Sequence, residues 1–351
     1  MTAAHGLLTI RERRTSVAEQ QSGGSTFKGY VVRRLALSLL TILVASFLVF
    51  MLQRLTPGTI VDAMVGQYMG MNPDEIDIAA ARAEIERALG LERPLFEQYA
   101  SWLGGIVLRG DLGASLWRRT PVLEEIAARW PVTVELGLLG FIFSQIIALP
   151  IGIYSAVRQD SLGDYAGRSF AIFWVAVPGF WIATMVIVYP SIWWGYAPPF
   201  RYVGLFEDPV ENLKILVIPA LVLGMGMAGG TMRIARTMML EVLRQDYIRT
   251  SWAKGLRERV ILIRHALKNA MIPVVTSIGP QLLLMVGGSV IVEQIFNLPG
   301  MGRLTLQAIQ ARDYPVVSGV LLIFSVAIVL INLLIDLSYG YLDPRIRHER
   351  K

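Results

Sequence analysis

Cysteine is absent from the 351-residue chain, so disulfide bridges, thiolate metal sites and cysteine nucleophiles are excluded. Histidine is scarce, and His5, His265 and His348 lie too far apart in sequence to suggest a histidine-rich metal site. No GxxxxGK[ST] stretch occurs, so the chain has no phosphate-binding loop with which to hydrolyse ATP by that route. The apolar stretches contain no Ser/His, GxGD or HExxH arrangement, which argues against an intramembrane enzyme. Charge is thin as well, at 17% of residues against about 25% in ordinary soluble domains. Apolar residues take its place. They make up 54% of the chain, and the mean hydropathy is +0.51. Such a chain is neither disordered nor a soluble fold; it is an all-α integral membrane protein.

A helical span needs roughly 20 mostly apolar residues. Six stretches qualify: Leu35 to Leu52, Val134 to Val157, Phe170 to Tyr189, Leu213 to Thr231, Ile272 to Val292 and Val316 to Tyr339. Pro150, Pro178 and Pro219 fall within three of them, as membrane helices tolerate. Placing the N-terminus in the cytoplasm puts 21 Lys and Arg on that side, a net charge of +12, and leaves −4 on the other, with Glu135 and Asp336 inside span ends completing the total. This bias predicts both termini cytoplasmic, and it accounts for the overall +6 without a nucleic-acid partner. The first 28 residues lack the apolar run of a cleaved leader, so the first span reads as an uncleaved anchor. The predicted organisation is a flexible tail over 1–29, then the first span with an extracytoplasmic helical segment over 30–133. A five-helix core over 134–347 carries a cytoplasmic loop at 232–270, and a short tail covers 348–351.

Between spans one and two the sequence predicts three helices. Asn72, Pro73, Asp74, Glu75 and Asp77 open the first, and Gly90 closes it. The second starts at Pro94 with Phe96, Tyr99, Trp102, Leu103 and Ile106 on one face, suited either to the membrane interface or to the protein's own spans. The third opens at Thr120–Pro121 with Glu124 and Glu125 in its first turn and runs into span two.

The 232–270 loop holds nine of the basic residues. Within it Asp246 reads as an N-cap and Gly255 as a left-handed stop, bounding two helical turns over 247–254. So short a helix is not stable alone and needs a surface to dock on. After it, Leu256, Val260, Ile263 and Leu267 repeat at helical spacing, predicting a second helix before span five.

Several motifs now carry a resemblance. DYIRTSWAKGLRERVILIRHALKNAMIP (246–273) resembles the cytoplasmic "EAA" loop of binding-protein-dependent ABC importer permeases. RGDLGASL (109–116), GSVIVEQIFNLPGMGRL (288–304), DYP (313–315) and DLSYGYLDPRIR (336–347) are similar, in order, to the dipeptide/oligopeptide/nickel group and its first permease subunit. Gly255 stands for the motif glycine, while Arg249, Thr250 and Ser251 fill the Glu-Ala-Ala positions and Pro273 lies further on than in the basic motif.

The resemblance implies a type I ABC importer architecture of six transmembrane helices in a bacterial or archaeal inner membrane. It implies a second homologous permease in a heterodimer, two cytoplasmic ATP-binding subunits and an extracytoplasmic substrate-binding protein. ATP and Mg would sit on the partner subunits, with no cofactor on this chain. It makes residues 246–255 a coupling helix, with Asp246, Tyr247, Arg249, Thr250, Ser251, Ala253, Lys254, Gly255 and Leu256 at the ATPase interface. Glu293 falls near the expected outer gate, and Gln145 and Gln281 either line the path or bond between helices. The group moves dipeptides, oligopeptides, nickel complexes, glutathione and some oligosaccharides. The rival reading, a self-sufficient channel or secondary transporter, predicts paired intramembrane charges or an inverted repeat, and neither is found. Met225, Met227, Met232, Met238 and Met239, beside four glycines, read as flexible packing.

Overall fold

The computed structural model describes residues 27–55, 61, 65–66, 78–88, 92–195, 197 and 201–342. Among these there is no strand; a single isolated bridge joins Ala114 to Pro121. The helices are α1 (Phe27–Leu55), α2 (Ile78–Ala88), α3 (Leu95–Arg109), α4 (Val122–Val157), α5 (Leu162–Ala176) and α6 (Gly179–Trp194). There follow α7 (Pro209–Leu243), α8 (Asp246–Ala253), α9 (Lys268–Ile295), α10 (Met301–Gln310) and α11 (Tyr314–Leu342). A helical turn at Glu258–Val260 and a π-helical turn at Ile261–Leu267 lead directly into α9. The capping residues 72–77, Gly90, Asp343, Arg345 and the N-terminal tail lie outside the described residues.

Within α1, α4, α7 and α11 the structure has four helices long and apolar enough to cross a membrane. At about 1.5 Å per residue, the 28 residues of α9 also exceed the thickness of a bilayer core. The third predicted span is different. It was expected to be one helix over Phe170 to Tyr189, but α5 ends at Ala176 and α6 begins at Gly179, bent by 97°. Pro178 explains the break. The ring of a proline drives the preceding residue out of the helical region, and Val177 is extended at φ −83°, ψ 126°. Pro131, Pro150, Pro190, Pro219, Pro273 and Pro280 stay inside their helices.

Two compact units divide the chain. In the first, formed by residues up to Val44 and from Val329 onward, Arg34 pairs with Asp336 at 2.8 Å. Tyr30 donates to the carbonyl of Asp336 at 3.0 Å. Asp336 therefore braces the end of α11 against α1.

The second unit, Ala45–Ile328, holds the core. Here α4, α7 and α9 pack through Leu136, Leu216, Ala220, Leu223 and Met285. Lipid offers apolar surface as readily as another helix does, so such contacts depend on close backbone approach. Gly224 provides it: a Cβ there would lie 2.4 Å from the carbonyl oxygen of Gly140. Met227, Met232 and Met239 are buried in these contacts, in keeping with packing. On the aromatic face of α3, Tyr99 and Trp102 turn to the protein's own helix, while Phe96 is exposed. Tyr99 meets Phe47 and Phe50 edge-on, Trp102 lies 5.7 Å from Phe50, and Ser46 and Tyr99 share a 2.7 Å hydrogen bond.

Candidate functional site: a short helix on the α7–α9 loop

Helix α8 stands between two long helices and is sharply bounded. Gly255 takes φ +71°, where a side chain is strained. Its N–H donates to the Trp252 carbonyl at 2.9 Å, and that of Leu256 reaches the Ser251 carbonyl at 3.4 Å. This is a Schellman closure. The other end corrects the sequence reading. Gln245, extended at φ −71°, ψ 148°, occupies the cap position without a side-chain bond, and Asp246 is the first helical residue. There its carboxylate still favours the positive end of the helix, and it reaches Arg249 at 3.5 Å.

What holds α8 in place is a residue the sequence reading did not single out. Ile248 is fully buried among Ala156, Met239, Ile261, Ala266 and Ala270, which joins α8 to α4, α7 and the lead-in to α9. Burying such a side chain stabilises by about 1.5–3 kcal/mol. Asn269 adds a hydrogen bond to the Tyr247 hydroxyl at 2.9 Å. Ser251, one turn on from Ile248, is buried and donates to the Tyr247 carbonyl at 2.8 Å. The opposite face is open: Asp246, Tyr247, Arg249, Thr250, Ala253, Lys254, Gly255 and Leu256 are all exposed. Trp252, also missed, is 48% exposed beside them. Its signal was present in the sequence, because Ile248 and Ser251 share a face by their spacing and leave Trp252 at its edge.

The polar residues inside the helices meet one another. Gln145 of α4 donates its amide to the Gln281 oxygen of α9 at 3.2 Å, and Thr231 of α7 donates to the same oxygen at 3.0 Å. The three form an interhelical tie, with the Gln145 oxygen buried and without a hydrogen-bond partner among the described residues. Glu293 is 0% exposed. It accepts from the Thr133 hydroxyl at 2.7 Å and from the Arg303 amide at 3.1 Å, while Thr133 accepts from the Met301 amide at 2.8 Å. Gly300 leaves room for this carboxyl group, since a Cβ there would lie 2.3 Å from its carbon. The Glu293 carboxylate thereby ties α4, α9 and α10 together.

Two further motifs also meet. Asp313 accepts from the Ser115 hydroxyl at 2.5 Å and from the Leu116 amide at 3.2 Å. Glu135 accepts from Tyr202 at 2.5 Å and from Asn212 at 3.0 Å. Burial, and then the adjacent carboxylate, hold the Tyr202 phenol well above its ordinary pKa. Asp164 is completely buried; Arg236 donates to both its oxygens at 2.8 Å, and Ser155 hydrogen-bonds to it as well.

Long apolar helices closely packed through glycine, with one short helix presented on the loop between two of them, make this a helical membrane protein. The comparisons give that class its family. The chain matches the model of the binding-protein-dependent transport system inner membrane component over residues 148–348. It matches the N-terminal model of the same membrane component over 27–137. The chain belongs to this family, and it is a multi-pass protein of the inner membrane. It is 37% identical over 344 residues to the dipeptide transport system permease protein DppB of Escherichia coli, in strains K12 and O157:H7 alike, covering 92% of this chain and 99% of the relative. A crystal structure of an amino acid ABC transporter with histidines, 13% identical, covers 63% of this chain and 95% of that chain with a TM-score of 0.49. As a permease the chain works with other transporter subunits and is not itself an enzyme; ATP hydrolysis belongs to separate subunits.

Proposed function

We propose that this chain forms, with a second homologous permease, the translocation path of an ATP-driven importer for di- or oligopeptides. The peptide substrate is read from relatives that bear dipeptide transport in their names. Both termini and α8 face the cytoplasm in this reading, supported by the excess of Lys and Arg on that side. Two ATP-binding subunits grip α8 and carry the ATP and Mg, and a substrate-binding protein delivers cargo from outside. The observation that carries the reading is α8 itself, anchored by buried Ile248 and open along Tyr247, Arg249, Trp252 and Lys254. A bistable packed core then converts closure of the ATPases into alternating access.

In this scheme Gln145 and Gln281 act as a tie between helices and not as path-lining groups, and Glu293 acts at the outer gate by holding α10 to α4. Affinity purification of the chain from its native membrane in mild detergent tests the reading. Recovery of an ATP-binding subunit, a second permease and a receptor carrying bound peptide is the expected result. Failure to recover any ATP-binding subunit would favour a self-sufficient transporter instead.

A further inference from the structure

A cavity of about 360 Å³ lies between α5 and α7, away from α8 and from the Gln145–Gln281 tie. Its volume lies within the range of ordinary ligand pockets. The cavity is amphipathic along its length, and the helix register shows why. Gly229 of α7 sits against the carbonyl of Ala171 in α5, where a Cβ would lie only 2.7 Å away. Arg233 and Arg236 follow Gly229 by one and two turns, and Arg168 precedes Ala171 by one turn. The Arg236–Asp164 pair shows that the two helices run in opposite directions here. All three guanidinium groups therefore gather at one end of the cavity, the end nearer α8, while Ile172, Val175 and Ala176 line the rest.

The arginines are not equally committed. Arg236 is spent on Asp164. Arg168 stacks 4.4 Å over the Tyr165 ring and lies 3.5 Å from Asp164, yet its Nη2 is buried without a hydrogen-bond partner among the described residues. Arg233 is exposed and has no ion pair or side-chain hydrogen bond among the described residues. The apolar wall is open sideways, with Ile172 68% and Val175 56% exposed.

We propose that this cavity holds an anionic phospholipid, its phosphate on Arg233 and Arg168 and an acyl chain along Ile172, Val175 and Ala176. A phosphate supplies acceptors to guanidinium donors in a paired geometry that lysine does not match. An acyl chain complements a wall that a free anion would leave bare. Basic pockets between membrane helices near a headgroup layer take such lipids. The site links lipid to the helix that leads into α8, because Arg233 and Arg236 lie on the last turns of α7.

The test is a lipid titration of the full-length chain by native mass spectrometry, in phosphatidylcholine micelles with added phosphatidylglycerol, repeated on the complex with its partner subunits. Phosphatidylglycerol is expected to bind at one site. Arg233→Gln should raise its apparent Kd about five-fold, and Arg168→Gln similarly, with the losses compounding in the double variant. Lys214→Gln, the same charge change at the far end of α7, should leave the Kd unchanged. Ala176→Phe, which fills the apolar end and touches no charge, should also weaken binding, so the result does not depend on the arginine variants alone. Equal retention by wild type and all variants would overturn the proposal. So would equal binding of inorganic phosphate alone, which would make this a free-anion site. Lipid bound by the isolated chain but absent from the complex, with position 172 cross-linking to the second permease, would overturn it in favour of a subunit contact.

Discussion

Asp313 and Ser115, 198 residues apart, share a 2.5 Å hydrogen bond in which both side chains are buried. The bond closes the loop between α3 and α4 onto the turn between α10 and α11. It also explains why RGDLGASL and DYP occur together in one sequence: each is half of a single contact. Removing either partner leaves the other buried with only a backbone amide for a partner, Leu116 for Asp313 and Arg118 for Ser115, at a cost of about 1–3 kcal/mol. Asp313→Ala and Ser115→Ala should each lower the melting temperature in detergent. The double variant should melt close to the worse single one, and fully additive losses in this cycle would show that the two residues are not coupled.

Helix α8 allows anchoring and gripping to be tested separately. Ile248→Ala removes its buried anchor and should destabilise by about 2–5 kcal/mol, visible as increased proteolysis of the 244–256 loop. Trp252→Ala touches only the open face. It should leave folding and melting unchanged while abolishing co-purification of the ATP-binding subunit and uptake. If Trp252→Ala transports normally, the open face is not the docking surface.

Gly255 terminates α8 with a positive φ of +71°. Gly255→Ala should cost about 1–2 kcal/mol of local strain and reduce uptake. Gly255→Pro cannot adopt that angle at all and should abolish ATP-driven uptake while the protein still inserts. Asp246→Arg, which sets a positive charge at the positive end of α8, should also abolish uptake. Wild-type uptake by a well-expressed Gly255→Pro variant would rule out the coupling assignment.

Two glycines of α7 should respond with opposite sign. Gly224→Ala drives a Cβ to within 2.4 Å of the Gly140 carbonyl and must separate α4 from α7, at about 1–3 kcal/mol. Gly226→Ala meets nothing within 4 Å and should be neutral or stabilising by up to about 1 kcal/mol, because alanine is the better helix former. Thermal unfolding of the two purified variants reads this difference directly.

The legible parts of this fold were those determined by local chemistry. Hydropathy located the long helices, Pro94 and Pro121 marked where α3 and α4 begin, and Gly255 marked the end of α8. Pro178 was visible too, but a proline inside an apolar run is tolerated at Pro150 and Pro219 and breaks the helix only here. Of the three, only Pro178 is followed by a glycine, Gly179, and a Pro-Gly pair marks a turn where a lone proline need not. Asp246 failed as a cap because the chain enters α8 one residue earlier, at Gln245. The partners of Gln145, Glu293 and Asp313 lie between 10 and 198 residues away and become known only once the helices are assembled.

The π-helical turn at Ile261–Leu267 has a geometric consequence for everything after it. Each of its hydrogen bonds spans one residue more than an α-helical bond, so side chains beyond Leu267 are out of phase by roughly 100° with an uninterrupted helix. The apolar repeat of Leu256, Val260, Ile263 and Leu267 therefore does not project onward along α9. The face of α9 that carries Gln281 inward is clocked by that extra residue. Deleting one residue from 261–267 would leave α9 equally long and equally apolar, with Gln281 rotated away from Thr231 and Gln145.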